Sequence, residues 1–224
     1  MLEESLVAGF AFDMDGTLMN TIGAWHAAEQ RVLRYAGVTI TKAERDELNA
    51  LTLQEAGAWF HERYGIMDDA DEVVGLILEN LLDFYRNDSE ANPGVADFVS
   101  AVHGAGAPVC VLSSSPQLFL RTGLARTGLK EYFPDHLVIS AEDRGWTKRD
   151  PKTFSHVCAL LGTDPAETWL FDDSWYALAS AREAGLRTVG VFSSDGCGTH
   201  DELARYGDYV VDSFAELDPT DFIA

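Results

Sequence analysis

Leu6-Val7-Ala8-Gly9-Phe10-Ala11-Phe12-Asp13-Met14-Asp15-Gly16-Thr17-Leu18 is the stretch that sets the fold class. From Leu6 to Phe12 it is apolar throughout, short, and stopped by aspartate and glycine. Such a run predicts a strand buried on both faces, and strands of that kind belong to parallel sheets covered by helices. Where the strand ends and the chain turns at Gly16, Asp13 and Asp15 can converge at its carboxyl end, the side on which open α/β sheets bind ligands. Two carboxylates that close repel one another unless a cation lies between them or one carries a proton. A hard divalent ion with oxygen ligands, Mg²⁺ first among them, satisfies both. The same Asp-x-Asp-Gly can also serve a simple turn through its backbone hydrogen bonds.

Composition narrows the classes. At 224 residues the chain exceeds the roughly 100–200 residues usual for one domain, so one large domain or a core with an insert is expected. A hydrophobic content of 46% suffices for a real core. No apolar run approaches the roughly 20 residues that span a bilayer, and Met1-Leu2-Glu3-Glu4 lacks the basic start of a signal peptide. A cytoplasmic protein without a membrane partner is therefore expected. Cys110, Cys158 and Cys197 show no C-x-x-C spacing, and the first two sit in apolar segments as small core residues do. A net charge of −21 repels nucleic acid and serves solubility, so any phosphate site must be locally positive against an acidic background.

After Leu18 the pattern becomes helical, with amphipathic stretches at Ile22 to Tyr35, Thr41 to Asn49, Thr52 to Tyr64 and Asp69 to Tyr85. The polar segment Asn87-Asp88-Ser89-Glu90-Ala91-Asn92-Pro93-Gly94 reads as a linker. Strands and helices then alternate. Strands are expected at Pro108 to Leu112, near His136 to Ile139, at Thr168 to Phe171 and at Arg187 to Phe192, with a short further one at Tyr209 to Asp212. Helices are expected near Val95 to His103, Gln117 to Thr127, Pro151 to Leu161 and Tyr176 to Ala184. The simplest organisation is a parallel-sheet core, residues 1–18 and 91–224, interrupted after its first strand by a helical insert, residues 19–90.

Three later strand ends carry residue types that phosphate chemistry uses. Val109-Cys110-Val111-Leu112 runs into Ser113-Ser114-Ser115-Pro116, whose hydroxyls and backbone N–H groups suit phosphate oxygens and equally suit a helix cap. Lys148, in Trp146-Thr147-Lys148-Arg149-Asp150-Pro151, can neutralise both a phosphate and the aspartates, or simply face solvent. Trp169-Leu170-Phe171 ends in Asp172-Asp173-Ser174, a second carboxylate pair able to complete a metal site with Asp13, or a cap.

These four segments in this order resemble the haloacid dehalogenase superfamily of phosphohydrolases. The insert resembles the four-helix cap of the branch that includes phosphoglycolate phosphatases and β-phosphoglucomutase. The resemblance implies a Rossmann-like α/β core with an all-helical cap, a Mg²⁺ cofactor and a small phosphorylated metabolite as substrate. Residue by residue, it makes Asp13 the nucleophile and Asp15 the general acid and base, whose backbone carbonyl binds the metal. Ser113, helped by Ser114, holds a phosphoryl oxygen and Lys148 compensates its charge. Asp173 ligates Mg²⁺ directly, and Asp172 binds it through water or orients a ligand.

Asp15 itself favours phosphate-ester hydrolysis or phosphomutase chemistry within that superfamily. Departures from the family pattern are Asn20-Thr21, Arg149-Asp150 after the lysine, and Ala177 where Gly is frequent. Trp25 stands at the place of a mutase cap-hinge histidine, which sets phosphatase before mutase; a non-catalytic binding protein of the same fold is a third reading. Specificity is expected in the cap, where Thr52 reaches a substrate hydroxyl or caps a helix within the loop Asn49 to Glu55.

Overall fold

The computed structural model describes residues 8–48, 51–194 and 196–223. Leu6 and Val7 of the first predicted strand, and Asn49 and Ala50 of the predicted specificity loop, lie outside them. The chain divides into two compact units, one formed by residues up to Asn20 and from Ser89 onward, the other by Thr21–Asp88.

In the first unit, β1 (Gly9–Phe12) is buried along its whole length. The chain leaves it for the four helices of the second unit, α1 (Ile22–Ala36), α2 (Lys42–Leu48), α3 (Leu53–Tyr64) and α4 (Ala70–Asn87). On its return it forms α5 (Val95–Gly104), β2 (Val109–Ser113), α6 (Gln117–Thr127), β3 (Val138–Ser140) and α7 (Pro151–Leu161). Then follow β4 (Thr168–Asp172), α8 (Trp175–Glu183), β5 (Arg187–Val191), α9 (His200–Tyr206), β6 (Tyr209–Val211) and α10 (Thr220–Ile223).

The sheet is parallel throughout and runs β3-β2-β1-β4-β5-β6. This is the doubly wound α/β order, and chain direction across the sheet reverses at β1, flanked by β2 and β4. The crevice beyond the carboxyl ends at such a switch point is where this architecture binds ligands. The alternation of side chains along β1 decides what covers each face. Phe10 and Phe12 point to one side and stack with Phe171, with Phe98 of α5 set edge-on to all three. Ala11 points to the other side, into an aliphatic core with Cys110, Leu112, Ile139, Leu170 and residues of α7 and α8.

The outer edge of β3 is covered by a side chain. The amide of Gln117 donates to the Val138 carbonyl at 3.0 Å and accepts from the Ser140 N–H at 3.3 Å. Where the helices are inserted, the outgoing and returning chain are tied together. The N–H of Asn20 donates to the Glu90 carbonyl at 3.1 Å, and that of Asn92 to Leu18 at 2.9 Å. The Asn92 side chain adds bonds to the carbonyls of Gly16 at 3.2 Å and Thr17 at 2.8 Å.

The second unit buries one face of each longer helix. On α4 the buried residues Val73, Val74, Ile77, Leu81 and Tyr85 recur at helical spacing. Trp25 of α1 donates to the Tyr85 hydroxyl at 3.0 Å, and Arg45 of α2 pairs with the buried Glu29 of α1. Burial raises the Glu29 carboxyl to about 7 although Arg45 opposes the rise.

Several element expectations need correction. Asp135–Leu137 is a 3₁₀ turn, entered from Pro134, so β3 starts two residues later than the apolar pattern suggested. Helix α8 begins at Trp175 and ends at Glu183, one residue earlier at each end. Helices α9 and α10 lie outside the expected elements, because each buries a single residue, Leu203 and Phe222, and leaves no apolar period to read.

Candidate active site

Four strand ends build the site. Asp13 follows β1 directly and its N–H donates to the Phe171 carbonyl of β4 at 2.9 Å, which fixes the residue between the two central strands. Gly16, with φ of 83°, takes the left-handed conformation that closes the turn after it. Gly16 N–H then bonds the Met19 carbonyl, and Met19 N–H the Met14 carbonyl, each at 2.9 Å. From the end of β4, Asp172 accepts from the Ser174 N–H at 2.9 Å, and Asp173 accepts from the Ser174 hydroxyl at 3.1 Å.

Lys148 enters from the turn before α7. The Thr153 hydroxyl donates to the Thr147 carbonyl at 2.7 Å, and Asp150 caps α7 at the Lys152 N–H at 2.9 Å, with Pro151 at the first helical position. The lysine is thereby held inward, 4% exposed. Its Nζ donates to Asp13 Oδ1 and, at 2.8 Å, to Asp172 Oδ2.

Carboxylate oxygens of Asp13, Asp172 and Asp173, all buried, lie within 4.8 Å of one another. One ammonium thus faces three carboxylates. Burial, opposed by Lys148 and reinforced by the neighbouring aspartates, lifts the Asp13 carboxyl well above the usual range. Burial and Asp172 push Asp173 to about 7. For Lys148, burial acts downward, but Asp13 and Asp172 outweigh it and raise the ammonium above its ordinary value. Asp173 Oδ2 is fully buried without a hydrogen-bond partner. The loop after β5 closes on this atom: a Cβ on Gly196 would stand 2.6 Å from it, so a larger residue there would have to displace the Asp173 carboxylate. An all-oxygen set with negative excess and one unsatisfied buried oxygen fits a hard metal ion.

Asp15 is half-buried beside this cluster. Its Oδ2 accepts from the Ser115 hydroxyl at 2.5 Å and lies 3.5 Å from the Ser113 hydroxyl. Ser113 Oγ in turn accepts from the Ser115 N–H at 3.1 Å. Ser115 escaped the sequence reading, which singled out Ser113 and Ser114. The structure leaves Ser114 exposed and turns Ser113 and Ser115 to the same side, a period-two signal that was present in the sequence. Thr52, in the other unit, is engaged in a capping box. Its hydroxyl accepts from the Glu55 N–H at 3.3 Å, and the Glu55 carboxylate accepts from the Thr52 N–H at 2.8 Å. Asp13, Asp15, Ser113, Lys148, Asp172 and Asp173 are therefore brought together at the switch point.

The family model described as haloacid dehalogenase-like hydrolase matches residues 7–185. The chain belongs to the haloacid dehalogenase-like hydrolases. Among curated relatives of this hydrolase, hexitol phosphatase B of Escherichia coli is 25% identical over 214 residues, covering 95% of each chain. N-acetylmuramic acid 6-phosphate phosphatase of Pseudomonas aeruginosa is 28% identical, with 80% of this chain and 79% of the relative covered. Among solved structures, CbbY of Rhodobacter sphaeroides superposes with a TM-score of 0.80 at 21% identity, over 95% of this hydrolase and 96% of that chain, a likeness of fold. Among the described residues of the hydrolase, no helix is long and apolar enough to cross a membrane.

Proposed function

We propose that this hydrolase is a Mg²⁺-dependent phosphatase of a small phosphomonoester, a sugar phosphate or similar metabolite, acting through an aspartyl-phosphate on Asp13. The observation that carries the reading is the buried Asp13 carboxylate, held by Lys148 at the switch point with Asp15 two residues on. The sugar-phosphate class is supported by relatives named as phosphatases of hexitol phosphates and of N-acetylmuramic acid 6-phosphate.

The Asp13 carboxylate attacks phosphorus, and the bond from phosphorus to the substrate oxygen breaks as Asp15 gives that oxygen its proton. Asp15, now ionised, takes a proton from a water that attacks the aspartyl-phosphate. The bond between phosphorus and the Asp13 oxygen breaks, inorganic phosphate leaves, and both carboxyl groups return to their starting state. Ser113, with Ser114, holds phosphoryl oxygens, and Lys148 compensates their charge where water is scarce and such compensation counts most. Asp13, Asp173 and the Asp15 carbonyl, with Asp172 supporting, would hold Mg²⁺, which when bound would supply further positive charge to the phosphoryl group. Residues 19–90 act as a cap on hinges near Gly16 to Thr21 and Asn87 to Gly94, and Thr52 contributes to substrate binding there.

Phosphate release from a panel of hexitol, hexose and amino-sugar phosphates and 2-phosphoglycolate, with and without Mg²⁺, tests this reading. Release that needs Mg²⁺ and vanishes in Asp13→Asn is the expected result. Turnover retained in that variant would overturn the nucleophile, and isomerised sugar phosphate in place of free phosphate would make the protein a mutase.

A further inference from the structure

We infer that Ser115 is the positioning residue for Asp15, fixing the carboxyl group that moves the proton while Ser113 grips the phosphoryl group. The inference rests on the acid and base role proposed above for Asp15. At 2.5 Å, the Ser115 contact to Asp15 Oδ2 is as short as hydroxyl-to-carboxylate hydrogen bonds run, whereas Ser113 at 3.5 Å sits at the outer limit of bonding. The two serines are thus not equivalent.

The backbone around Ser115 is anchored on both sides. Its own N–H bonds Ser113 Oγ at 3.1 Å, and the next residue, Pro116, accepts from Phe119 at 2.9 Å and Leu120 at 3.3 Å as α6 starts. The residue is buried, 7% exposed. A fixed donor on a rigid frame matters because rotation about the last torsion of aspartate is soft, so an untethered carboxyl group turns its oxygens freely. With Oδ2 occupied as an acceptor from Ser115, the proton that passes to the leaving group travels on Oδ1. Ser115 neither gains nor loses a proton in the cycle; its hydroxyl donates to Oδ2 in both states of Asp15. Ser113, loosely held, is available to a phosphoryl oxygen.

Two aryl esters separate these duties without knowledge of the natural substrate. p-Nitrophenolate leaves without a proton, whereas phenolate, basic like the tyrosine side chain at about pKa 10, leaves poorly unless protonated. Because kcat/KM reports only the steps up to transfer onto Asp13, Ser115→Ala is expected to lower kcat/KM for phenyl phosphate by about 10–100-fold, the scale of a misplaced proton donor. For p-nitrophenyl phosphate the expected loss is under about threefold, because that leaving group does not draw on the general acid. Ser115→Thr, which keeps the hydroxyl, restores the phenyl ester. Equal losses on both esters, or none, overturn the inference. If the alanine variant does not fold, Ser115→Cys, slightly larger with a weaker donor, carries the same comparison, and equal losses there overturn it too. Asp15→Asn run alongside separates the two levels: a steep difference between esters in that variant with none in Ser115→Ala rejects Ser115 alone, and no difference in Asp15→Asn rejects the acid role beneath it.

Discussion

Replacing Lys148 by methionine removes the one ammonium that faces Asp13, Asp172 and Asp173 while keeping most of the side-chain volume, so the effect is electrostatic rather than a cavity. At 2.8 Å from Asp172 Oδ2, a unit positive charge is attracted by about 6 kcal/mol at an effective dielectric of about 20. Asp13 adds a second contact, and burial of the ammonium takes back several kcal/mol. What remains when one partner of such a buried pair is deleted is about 3–5 kcal/mol of lost stability. At about 2–4 °C per kcal/mol for a chain of this size, melting of the core falls by roughly 6–20 °C. Thermal denaturation followed by circular dichroism, with EDTA present, measures it. Added Mg²⁺ is expected to raise the melting temperature more in Lys148→Met than in the parent, since among the described residues Lys148 is the cation that acts on these carboxylates; at 100 times its dissociation constant a ligand contributes about 2.7 kcal/mol. A variant melting within about 2 °C of the parent in EDTA, well short of the roughly 6 °C lower bound, would refute the idea that Lys148 neutralises the cluster.

Phe98→Ala, which empties the position edge-on to Phe10, Phe12 and Phe171, is expected to cost about 3–5 kcal/mol in urea unfolding while kcat of the folded fraction is kept; a loss below about 1 kcal/mol would mean that the aromatic face repacks. For Glu29, whose carboxyl rises from 4.5 to about 7, the protonated form is the one the fold favours. Its contribution is fully present below about pH 4.5 and is lost as pH rises through about 7, a change of about 3 kcal/mol. The stability of Glu29→Gln relative to the parent should therefore climb by that order between pH 4 and pH 8, with loss of the Arg45 partner as a constant offset. A difference that does not vary with pH contradicts the assignment.

What the sequence made legible was local. Asp13 and Asp15 announce themselves because two carboxylates stand at the end of an apolar run in one short segment. Lys148 and Asp173 became legible through the order of motifs along the chain. Ser115 did not, because its importance arises from a contact across 100 positions, and nothing within Ser113-Ser114-Ser115 ranks one hydroxyl above another except a period of two that outlasts the strand. Glu29 was illegible for a related reason: an acidic residue on an amphipathic helix reads as solvated until Arg45 from the next helix is placed over it. Helix α9 lacked an apolar period, yet its capping box, Thr199 with Glu202, was written in the sequence as plainly as that of Thr52 with Glu55.

The Gln117 amide offers Val138 and Ser140 one donor and one acceptor, the same pair of groups that a peptide unit of an adjoining strand would offer. One side chain thereby imitates a missing neighbour. A foreign segment approaching this border of the sheet meets hydrogen-bonding capacity already spent, and must strip two bonds before forming its own. An enzyme that keeps six parallel strands in solution needs such borders closed, since open ones recruit other chains into fibres and precipitates. Here that protection is written in a single glutamine, two residues beyond the serine that holds Asp15.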